Sequence, residues 1–284
     1  MPHAIVTGGS SGIGLSLVWR LAGAGWRISV IALDDADLTR LAVAPPPSTH
    51  PLHLEGADVG DRRAAEAAVA KALDAHGPCD LLVTCAGVTR PGTFTDLAPE
   101  EFERQLRINY LGTLWVVRAV APSMIRRGAG TIVLVSSFAA LTGVYGYSAY
   151  APTKYAVRGL AESLRTELKP AGVHVACVFP TDVDTPMLAG EESLKPPETA
   201  ALSGTTAVVT PEQVVTAILR GVQRGRFEIL VDRWSALLAV LGRTTPGLAR
   251  LILDRTVARS RRETEGLSRR PRTPVGWGTR GSGR

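Results

Sequence analysis

The segment Thr7-Gly8-Gly9-Ser10-Ser11-Gly12-Ile13-Gly14 decides the fold of this chain. Before it, His3 to Thr7 (HAIVT) has the composition of a short buried strand, and after it an apolar-periodic helix is predicted from Leu15 to Leu21. A glycine-rich turn between a strand and a helix is typical of the first βαβ unit of a dinucleotide-binding sheet. The spacing is GxxxGxG rather than GxGxxG, and the loop alone also leaves a plain turn open.

The residues of this turn have separate expected roles. Gly8 is expected to form the tight turn, Gly12 to let the backbone approach a pyrophosphate, and Gly14 to let the helix pack on the sheet. The N–H groups at the start of the helix would face the phosphates, where the positive end of the helix dipole belongs. The predicted cofactor contacts of the turn are completed by Ser10, Ser11 and Ile13.

Strand-like and helix-like patterns alternate along the rest of the chain. This alternation predicts an α/β fold, with a three-layer, Rossmann-type, doubly wound sheet of about seven mostly parallel strands. After the first, the predicted strands are Arg27–Leu33, Leu52–Ala57, Asp80–Thr84, Thr131–Val135, Val173–Phe179 and Phe227–Val231. The predicted helices include Asp37–Val43, Arg62–His76, Glu100–Ser123, Ala149–Arg165 and one that begins at Pro211. Residues 187–210 are expected to form a mobile segment over the cleft.

Three segments of different composition divide the chain. Residues 1–232 are predicted to form one dinucleotide-binding catalytic domain, with no second domain and no internal repeat. Residues 233–260 are predicted to be an apolar helical extension, and residues 261–284 a basic tail that is expected to be disordered. The extension contains the apolar run Trp234 to Leu241. We expect it to pack on the sheet edge or in a dimer contact, and the alternative is a surface that inserts into a membrane interface.

Composition argues against several classes of protein. The net charge of +6 is concentrated in the tail, where seven arginines and two glutamates give +5, so the first 260 residues carry about +1 and offer no strong electrostatic case for nucleic acid. Three cysteines without a CxxC pair predict reduced thiols in a cytoplasmic protein. Five histidines without a ligand spacing predict no catalytic metal. No signal peptide fits before Thr7, and no apolar run approaches the ~20 residues that span a bilayer.

Three residues between positions 137 and 154 have side chains suited to proton transfer. Ser137 follows a predicted strand, while Tyr150 and Lys154 are spaced to lie one turn apart on the same face of a helix. A lysine cation in that position is expected to lower the tyrosine pKa from its usual value of about 10, so that the phenol exchanges protons with a substrate oxygen near neutral pH. Ser137 is expected to hold the same oxygen beside a hydride carrier.

Several polar residues near predicted strand ends have two interpretations each. Asp34 and Asp35 follow the second strand, where a carboxylate would bind the adenosine ribose or would cap the next helix. Asp58 follows the third strand and would bond the adenine or cap the following helix. Asn109 lies inside a predicted helix, where a solvated or capping residue is the usual interpretation. Small residues that leave room for a ligand end the fourth strand, namely Cys85, Ala86 and Gly87.

Together, Thr7-Gly8-x-x-x-Gly12-x-Gly14, Asn109, Ser137 and Tyr150-x-x-x-Lys154 resemble the short-chain dehydrogenase/reductase family over about residues 3–232. The resemblance implies an NAD(H) or NADP(H) cofactor, with Tyr150 as acid/base, Ser137 as donor to the substrate oxygen and Lys154 on the nicotinamide ribose. It also implies that Asn109 holds a water that links Lys154 to solvent. The further cofactor contacts that it implies are Asp58 and Val59 at the adenine, and Pro180, Val183 and Thr185 at the nicotinamide end.

A second set of residues resembles one group in that family, the 3-ketodihydrosphingosine reductases. The set is Cys85-Ala86-Gly87, Ile108–Gly112, Tyr155–Glu162, Asp182-x-Asp184-Thr185-Pro186 and Lys195-Pro196-x-Glu198-Thr199. Cys85 replaces the asparagine usual in the wider family and Thr181 replaces a glycine, but both departures also occur in this group. Pro152 inside the YxxxK motif remains a departure.

This closer resemblance implies reduction of the ketone of a long-chain amphiphile and a small hydrophobic partner, and it slightly favours NADP(H) over NAD(H). Such a substrate fits an apolar C-terminal surface in contact with a membrane on the cytoplasmic face, which is an expectation for this segment. The resemblance to the wider family implies a homodimer or homotetramer. Ala32 stands where NAD-preferring members carry aspartate, although Leu33 stands where NADPH-preferring members usually carry arginine. Two rival functions remain open at this point: action on another hydrophobic ketone or alcohol (a steroid, acyl or xenobiotic compound), and a non-catalytic nucleotide-binding regulator.

Overall fold

The computed structural model of the chain describes residues 1–48, 50–203 and 207–268. Within them, seven strands form one sheet in the order β3-β2-β1-β4-β5-β6-β7, and all neighbouring strands are parallel. The strands are β1 (His3–Thr7), β2 (Arg27–Ala32), β3 (His53–Gly56), β4 (Leu81–Thr84), β5 (Gly130–Val135), β6 (Val173–Phe179) and β7 (Glu228–Leu230). The order reverses between β1 and β4, so the crevice at that point lies outside the carboxyl ends of the strands.

Helices cover both faces of the sheet. They are α1 (Gly12–Ala22), α2 (Ala36–Val43), α3 (Arg62–His76), α4 (Pro99–Gln105), α5 (Thr113–Arg127), α6 (Tyr150–Leu168), α7 (Pro186–Glu192), α8 (Pro197–Ser203), α9 (Pro211–Gln223), α10 (Arg233–Thr244) and α11 (Pro246–Ser268). Apolar side chains of α1, α2 and α9 fill the core on one face, and those of α3, α5 and α6 fill the core on the other. Burial of these two apolar surfaces holds the three layers together.

The predicted doubly wound α/β fold is confirmed, and each predicted strand agrees with the structure to within one residue at either end. The inner strands are nearly continuous runs of buried apolar residues, as parallel strands covered on both faces require. Pro152 occupies the third position of α6, where its missing N–H has no partner within the helix to lose.

One predicted helix is interrupted. The segment Glu100–Ser123 is not a single α-helix, because α4 and α5 are separated by a turn of π-helix over Leu106–Gly112. At Gly112 a Cβ atom would lie 2.8 Å from Cγ2 of Val59, so the helix packs closely on the loop after β3. The periodicity of apolar residues in the sequence does not reveal this turn, which contains Asn109.

The segment 187–210 also differs from the prediction. The part of it that the structure describes holds α7 and α8, where a mobile segment was expected, and residues 204–206 lie outside the described residues. Thr185 caps α7 by accepting a hydrogen bond from the N–H of Leu188 at 3.4 Å, and Pro186 is its first residue. Thr199 of α8 donates a hydrogen bond to the carbonyl of Tyr145 at 2.9 Å, which ties the segment to the loop before α6.

The C-terminal extension is a pair of helices, α10 and α11. Asp232 caps α10 through the N–H of Ser235, and Arg243 forms a bidentate ion pair with Glu228 of β7 at 2.6 and 2.8 Å. Helix α11 continues past residue 260, so the predicted disordered tail is wrong for residues 261–268, while residues 269–284 lie outside the described residues. Arg261 holds α11 against the body by a 3.0 Å contact with Glu198 of α8.

Among the described helices, none is long and apolar enough by itself to cross a bilayer. The helix α10 and residues 246–263 of α11 meet the requirements of length and composition only as a pair, and this pair is bent by 113°.

Candidate active site

A cavity of about 690 Å³ runs along the carboxyl edge of the sheet. At one end it is lined by the glycine turn, including Gly8 and Gly12, and by the small residues after β4. In the middle it is lined by Ser137, Tyr150 and Lys154, and at the other end by apolar side chains of α10 and α11. The fold therefore brings the glycine turn and the predicted proton-transfer residues into one cleft.

The glycine turn has the backbone geometry of a phosphate cradle. Gly8 and Gly12 have φ angles of +64° and +51°, which side chains rarely adopt. A Cβ on Gly8 would lie 2.8 Å from the backbone of Ala86, and one on Gly14 would overlap the carbonyl of Gly8. The residue before α1, Ser11, makes no side-chain cap, and no acidic residue lies in the first turn. The N–H groups at this helix start are therefore suited to a pyrophosphate.

Tyr150 and Ser137 face each other in the middle of the cleft. Burial raises the pKa of Tyr150 above its usual value, a hydrogen bond with the Ser137 hydroxyl lowers it, and the charges of Glu191 and Asp182 raise it further. Ser137 is held by its position before a 3₁₀ turn, where its Oγ accepts a hydrogen bond from the N–H of Ala139 at 3.1 Å. The phenol is therefore protonated near neutral pH, which is the form that donates a proton to a carbonyl oxygen.

Lys154 lies beside Tyr150 on the same helix and is buried. Its Nζ donates a 3.2 Å hydrogen bond to the carbonyl of Val135 and lies 5.6 Å from the centre of the Tyr150 ring. Burial lowers the pKa of Lys154 from 10.5 to about 8. The prediction that this cation lowers the pKa of Tyr150 is wrong for the structure described, because the cost of burying the phenolate dominates and raises that pKa.

Asn109 lies in the π-helical turn and is fully buried, so the solvated interpretation is wrong. Its Oδ1 accepts from the N–H of Val88 at 2.8 Å, and its Nδ2 donates to the carbonyl of Val88 at 2.9 Å and to Oγ1 of Thr153 at 3.0 Å. The amide thus joins the loop after β4 to the helix that carries Tyr150 and Lys154. Its role in holding a water remains a prediction.

The residues predicted at the adenosine end are more dispersed. Asp35 caps α2 by accepting from the N–H groups of Asp37 and Leu38 at 2.9 and 3.1 Å, and Asp34 is exposed beside Gly56. Asp58 is not the cap of α3; it accepts from the N–H of Gly60 at 2.8 Å, whereas Asp61 caps the helix.

Not every predicted contact lines the main cavity. Val59 is buried in the core, and Ser10 lines a second cavity, of about 880 Å³, between α1, α2 and α9. The predicted contacts outside the main cavity are Ser10, Asp34, Asp58, Val59 and Asn109.

The remaining predicted contacts surround the middle of the cleft. Cys85, Ala86 and Gly87 end β4, and Pro180, Val183 and Thr185 follow β6. A Cβ on Gly87 would lie 3.2 Å from Oδ1 of Asn109 and 3.5 Å from Nζ of Lys154, so the absence of a side chain keeps this edge open. Burial raises the pKa of the Cys85 thiol to about 12, which leaves it protonated. Among the described residues, no group of His, Cys, Asp or Glu is placed to hold a metal ion.

Sequence reasoning missed a polar group on the wall of the cleft. The hydroxyl of Tyr147 donates a 2.6 Å hydrogen bond to Oε2 of Glu191, and the ring of Tyr147 lies 5.5 Å from that of Tyr150. Asp182 and Glu191 share Lys195, whose Nζ lies 3.5 and 3.7 Å from their carboxylates. The one signal in the sequence was the spacing of Tyr147, three residues before Tyr150; Glu191 is 44 residues from its partner.

Comparisons with known proteins agree with this geometry. A profile of the family described as short chain dehydrogenase matches residues 2–195, and the chain belongs to that family, as an NAD(P)-dependent oxidoreductase. The chain is similar to 3-ketodihydrosphingosine reductase of Bos taurus, with 40% identity over 246 residues, which are 84% of this chain and 74% of the relative. It is also similar to 3-ketodihydrosphingosine reductase of Dictyostelium discoideum, with 37% identity over 87% of this chain and 78% of the relative.

The fold has close neighbours among solved structures. One is described as a short-chain dehydrogenase from Sphingobium yanoikuyae in complex with NADPH. It has a TM-score of 0.73 and 28% identity, covering 88% of this chain and 96% of that protein. The predicted resemblance to the short-chain dehydrogenase/reductase family is therefore confirmed.

Proposed function

We propose that this protein reduces 3-ketodihydrosphingosine to dihydrosphingosine. One observation carries the proposal: a single cavity joins the glycine turn, the pair Ser137 and Tyr150, and an apolar channel under α10 and α11. A dinucleotide, a ketone and a long alkyl chain each require one of these three parts. The similarity to two 3-ketodihydrosphingosine reductases over most of their length supports the same substrate.

The residues of the cleft have separate roles in this reaction. Gly8, Gly12 and the start of α1 would hold the pyrophosphate of a dinucleotide, and the reduced cofactor would supply the hydride for the carbonyl carbon of the substrate. Tyr150 gives its proton to the carbonyl oxygen, so that a ketone, a hydride and a proton yield a secondary alcohol. The Ser137 hydroxyl holds that oxygen in place, and Lys154 places a positive charge beside the tyrosine as its proton leaves.

The channel proposed for the alkyl chain is formed by α10 and α11, which come after the last strand, β7, in the sequence. Its walls include Leu238 and Leu241 of α10 and Leu248, Ile252 and Leu253 of α11, and the walls of the whole cavity are mainly apolar. Each CH₂ group that moves from water into such a channel contributes about 0.8 kcal/mol. This favours a ketone with a large apolar part over a small polar carbonyl compound, and the similarity to 3-ketodihydrosphingosine reductases favours a long chain over a steroid.

For the cofactor we propose NADP(H), with NAD(H) as the alternative. No carboxylate side chain replaces Ala32 at the end of β2, and Asp35 is engaged as a helix cap. Arg20 and Arg40 line the second cavity together with Ser10 and Ser11 of the glycine turn, and a 2′-phosphate bound there would meet these two cations. Asp37, Asp184 and Glu212 line the same cavity and Arg40 is ion-paired with Asp37, so the preference for NADP(H) rests mainly on the absence of a carboxylate at Ala32.

A direct assay tests the proposed function. Purified protein is given 3-ketodihydrosphingosine with NADPH or NADH, and cofactor absorbance and the alcohol product are followed. We expect turnover with the sphingoid ketone, faster with NADPH. Turnover of steroid or xenobiotic ketones without turnover of the sphingoid ketone would support the rival substrate, and cofactor binding without any turnover would support a regulator.

We further propose that the protein contacts an anionic membrane from the cytoplasmic side. Three apolar side chains on α10 and α11 are exposed and do not line the cavity, namely Leu237, Val240 and Leu251. Exposed arginines accompany them on α11, including Arg250 and Arg255. Such a surface binds a bilayer interface by apolar burial and by attraction to acidic lipids. Cosedimentation with phosphatidylserine vesicles should be lost in Val240→Asp/Leu251→Asp and retained in the surface variant Val43→Asp, which changes an exposed apolar side chain of α2.

We also propose that the protein is a homodimer or homotetramer, assembled through the π-helical turn with α5 and through α6. Leu106 of the π-helical turn, Ile125 of α5 and Tyr155 of α6 are exposed apolar residues on these elements. Burying them in a second copy would remove apolar surface from water. Light scattering at increasing protein concentration measures the state directly, and a monomer at all concentrations would contradict this proposal.

A further inference from the structure

One carboxylate in the cleft has no role in the hydride and proton transfer described above. Glu191 is buried, lies in the last turn of α7, and lines the same cavity as Ser137 and Tyr150. Its Oε2 accepts the 2.6 Å hydrogen bond from Tyr147, whose ring lies 5.5 Å from the ring of Tyr150. The charge of Glu191 acts on Tyr150, because it raises the pKa of that phenol.

Glu191, Asp182 and Lys195 form a group of charged side chains in which the charges do not balance. Lys195 is the cation of the group, at 3.7 Å from Glu191 and 3.5 Å from Asp182, so one ammonium serves two carboxylates. Lys195 is buried behind them and does not line the cavity, whereas both carboxylates do. The wall of the cleft beside Tyr150 therefore carries a net formal charge of −1 inside a mainly apolar cavity, where incompletely balanced charge is costly.

We infer that Glu191, supported by Asp182, binds the ammonium group of an amino ketone and so determines the specificity of the cleft. This inference rests on the proposed function, since 3-ketodihydrosphingosine carries its amine on the carbon next to the ketone. An ammonium group there would balance the second carboxylate. The amine and the alkyl chain would then fix both ends of the substrate, with the carbonyl group between them at Ser137 and Tyr150.

The test compares two substrates in matched variants. The substrates are 3-ketodihydrosphingosine and its N-acetyl amide, which has the same ketone and chain but no positive charge. The variants are Glu191→Gln, which keeps the shape and removes the charge, and Glu192→Gln, which removes the charge of an exposed neighbour. Asp182→Asn is made as a second variant in the cleft, and thermal melting checks that each variant folds.

We expect Glu191→Gln to lower kcat/KM for the free amine by about 10- to 100-fold, the scale of a lost hydrogen-bonded charge contact. The loss should lie mainly in KM, and for the N-acetyl ketone it should stay within about threefold. Asp182→Asn should give a smaller loss in the same direction, and Glu192→Gln should change neither substrate. If Glu191→Gln does not fold, Asp182→Asn tests the inference. A loss of kcat/KM for the free amine but not for the N-acetyl ketone supports it, and equal losses contradict it.

Two results would overturn the inference in distinguishable ways. Equal losses for the amine and the N-acetyl ketone would mean that Glu191 acts on the fold or on the nicotinamide, and the proposed function would stand without this inference. Absence of turnover of both ketones by the unmutated protein, with turnover of other ketones, would overturn the proposed function and the inference together.

Discussion

The amide Nδ2 of Asn109 donates a 3.0 Å hydrogen bond to Oγ1 of Thr153, and Thr153 precedes Lys154 on α6. The same side chain is paired with the N–H and carbonyl of Val88 in the loop after β4. One buried amide therefore fixes the distance between the loop that borders the cofactor cleft and the helix that carries the proton donor. The π-helical turn at Leu106–Gly112 is the local structure that contains this residue.

Asn109→Ala should destabilise the protein and slow the reaction together. It leaves the partly buried N–H and carbonyl of Val88 and the buried Oγ1 of Thr153 without this partner, and an unpaired buried group costs about 1–3 kcal/mol. We expect a loss of about 2–3 kcal/mol in the free energy of unfolding, measured with urea, together with a lower kcat. Thr153→Ser keeps the hydroxyl and serves as the control, with a much smaller change. An unchanged free energy of unfolding in Asn109→Ala would show that the amide does not hold the loop after β4 and helix α6 together.

Tyr150→Phe should remove turnover and leave cofactor binding intact. The phenol is the proton donor in the proposed reaction, and general acid catalysis contributes about 10²- to 10⁴-fold. We expect kcat to fall by at least about 10²-fold, while fluorescence titration with NADPH shows an unchanged dissociation constant. Tyr155→Phe, on the exposed side of the same helix, is the matched control. A near-normal rate in Tyr150→Phe would refute its role.

The buried lysine should make stability depend on pH in the alkaline range. The pKa of Lys154 is about 8 in the folded protein against 10.5 for an exposed lysine, so between these values the unfolded chain binds more protons. Stability contributed by this group therefore increases as pH rises from about 8 to about 10.5, by at most about 3 kcal/mol. The difference in free energy of unfolding between the protein and Lys154→Met, measured with urea, should show this rise. The difference is used because the buried cysteines and tyrosines, whose pKa is raised, lose stability in the same pH range in both proteins. Parallel curves for the two proteins would contradict it.

Filling the channel should select against long chains. Ala249 lines the apolar end of the cavity, and Ala249→Phe would occupy space that the alkyl chain needs. We expect KM for 3-ketodihydrosphingosine to rise about tenfold or more, since each excluded CH₂ group forfeits about 0.8 kcal/mol. A short-chain analogue of the same amino ketone should be affected far less. Ala258→Phe, on the exposed face of the same helix, controls for the added ring. An equal rise of KM for the long-chain and the short-chain ketone would mean that the alkyl chain does not bind in this channel.

The fold and the main residues of the proposed chemistry follow from local patterns in the chain. Strand-like runs and the turn at residues 7–14 are local patterns, and parallel strands bring their carboxyl ends to one edge, so Ser137 and Tyr150 were predicted to meet the glycine turn. Tyr150 and Lys154 share a helix face because of helical spacing alone.

The electrostatics of the cleft and the wall formed by Tyr147 and Glu191 depend on packing between distant parts of the chain. The pKa of Tyr150 depends on its burial, and the sign of that shift was predicted wrongly because spacing contains no information on desolvation. The contacts of Asn109 with Val88, and of Tyr147 with Glu191, join residues 21 and 44 positions apart. Such contacts follow from packing between elements, as does the placement of α10 and α11 over the cavity, and no local pattern in the chain specifies them.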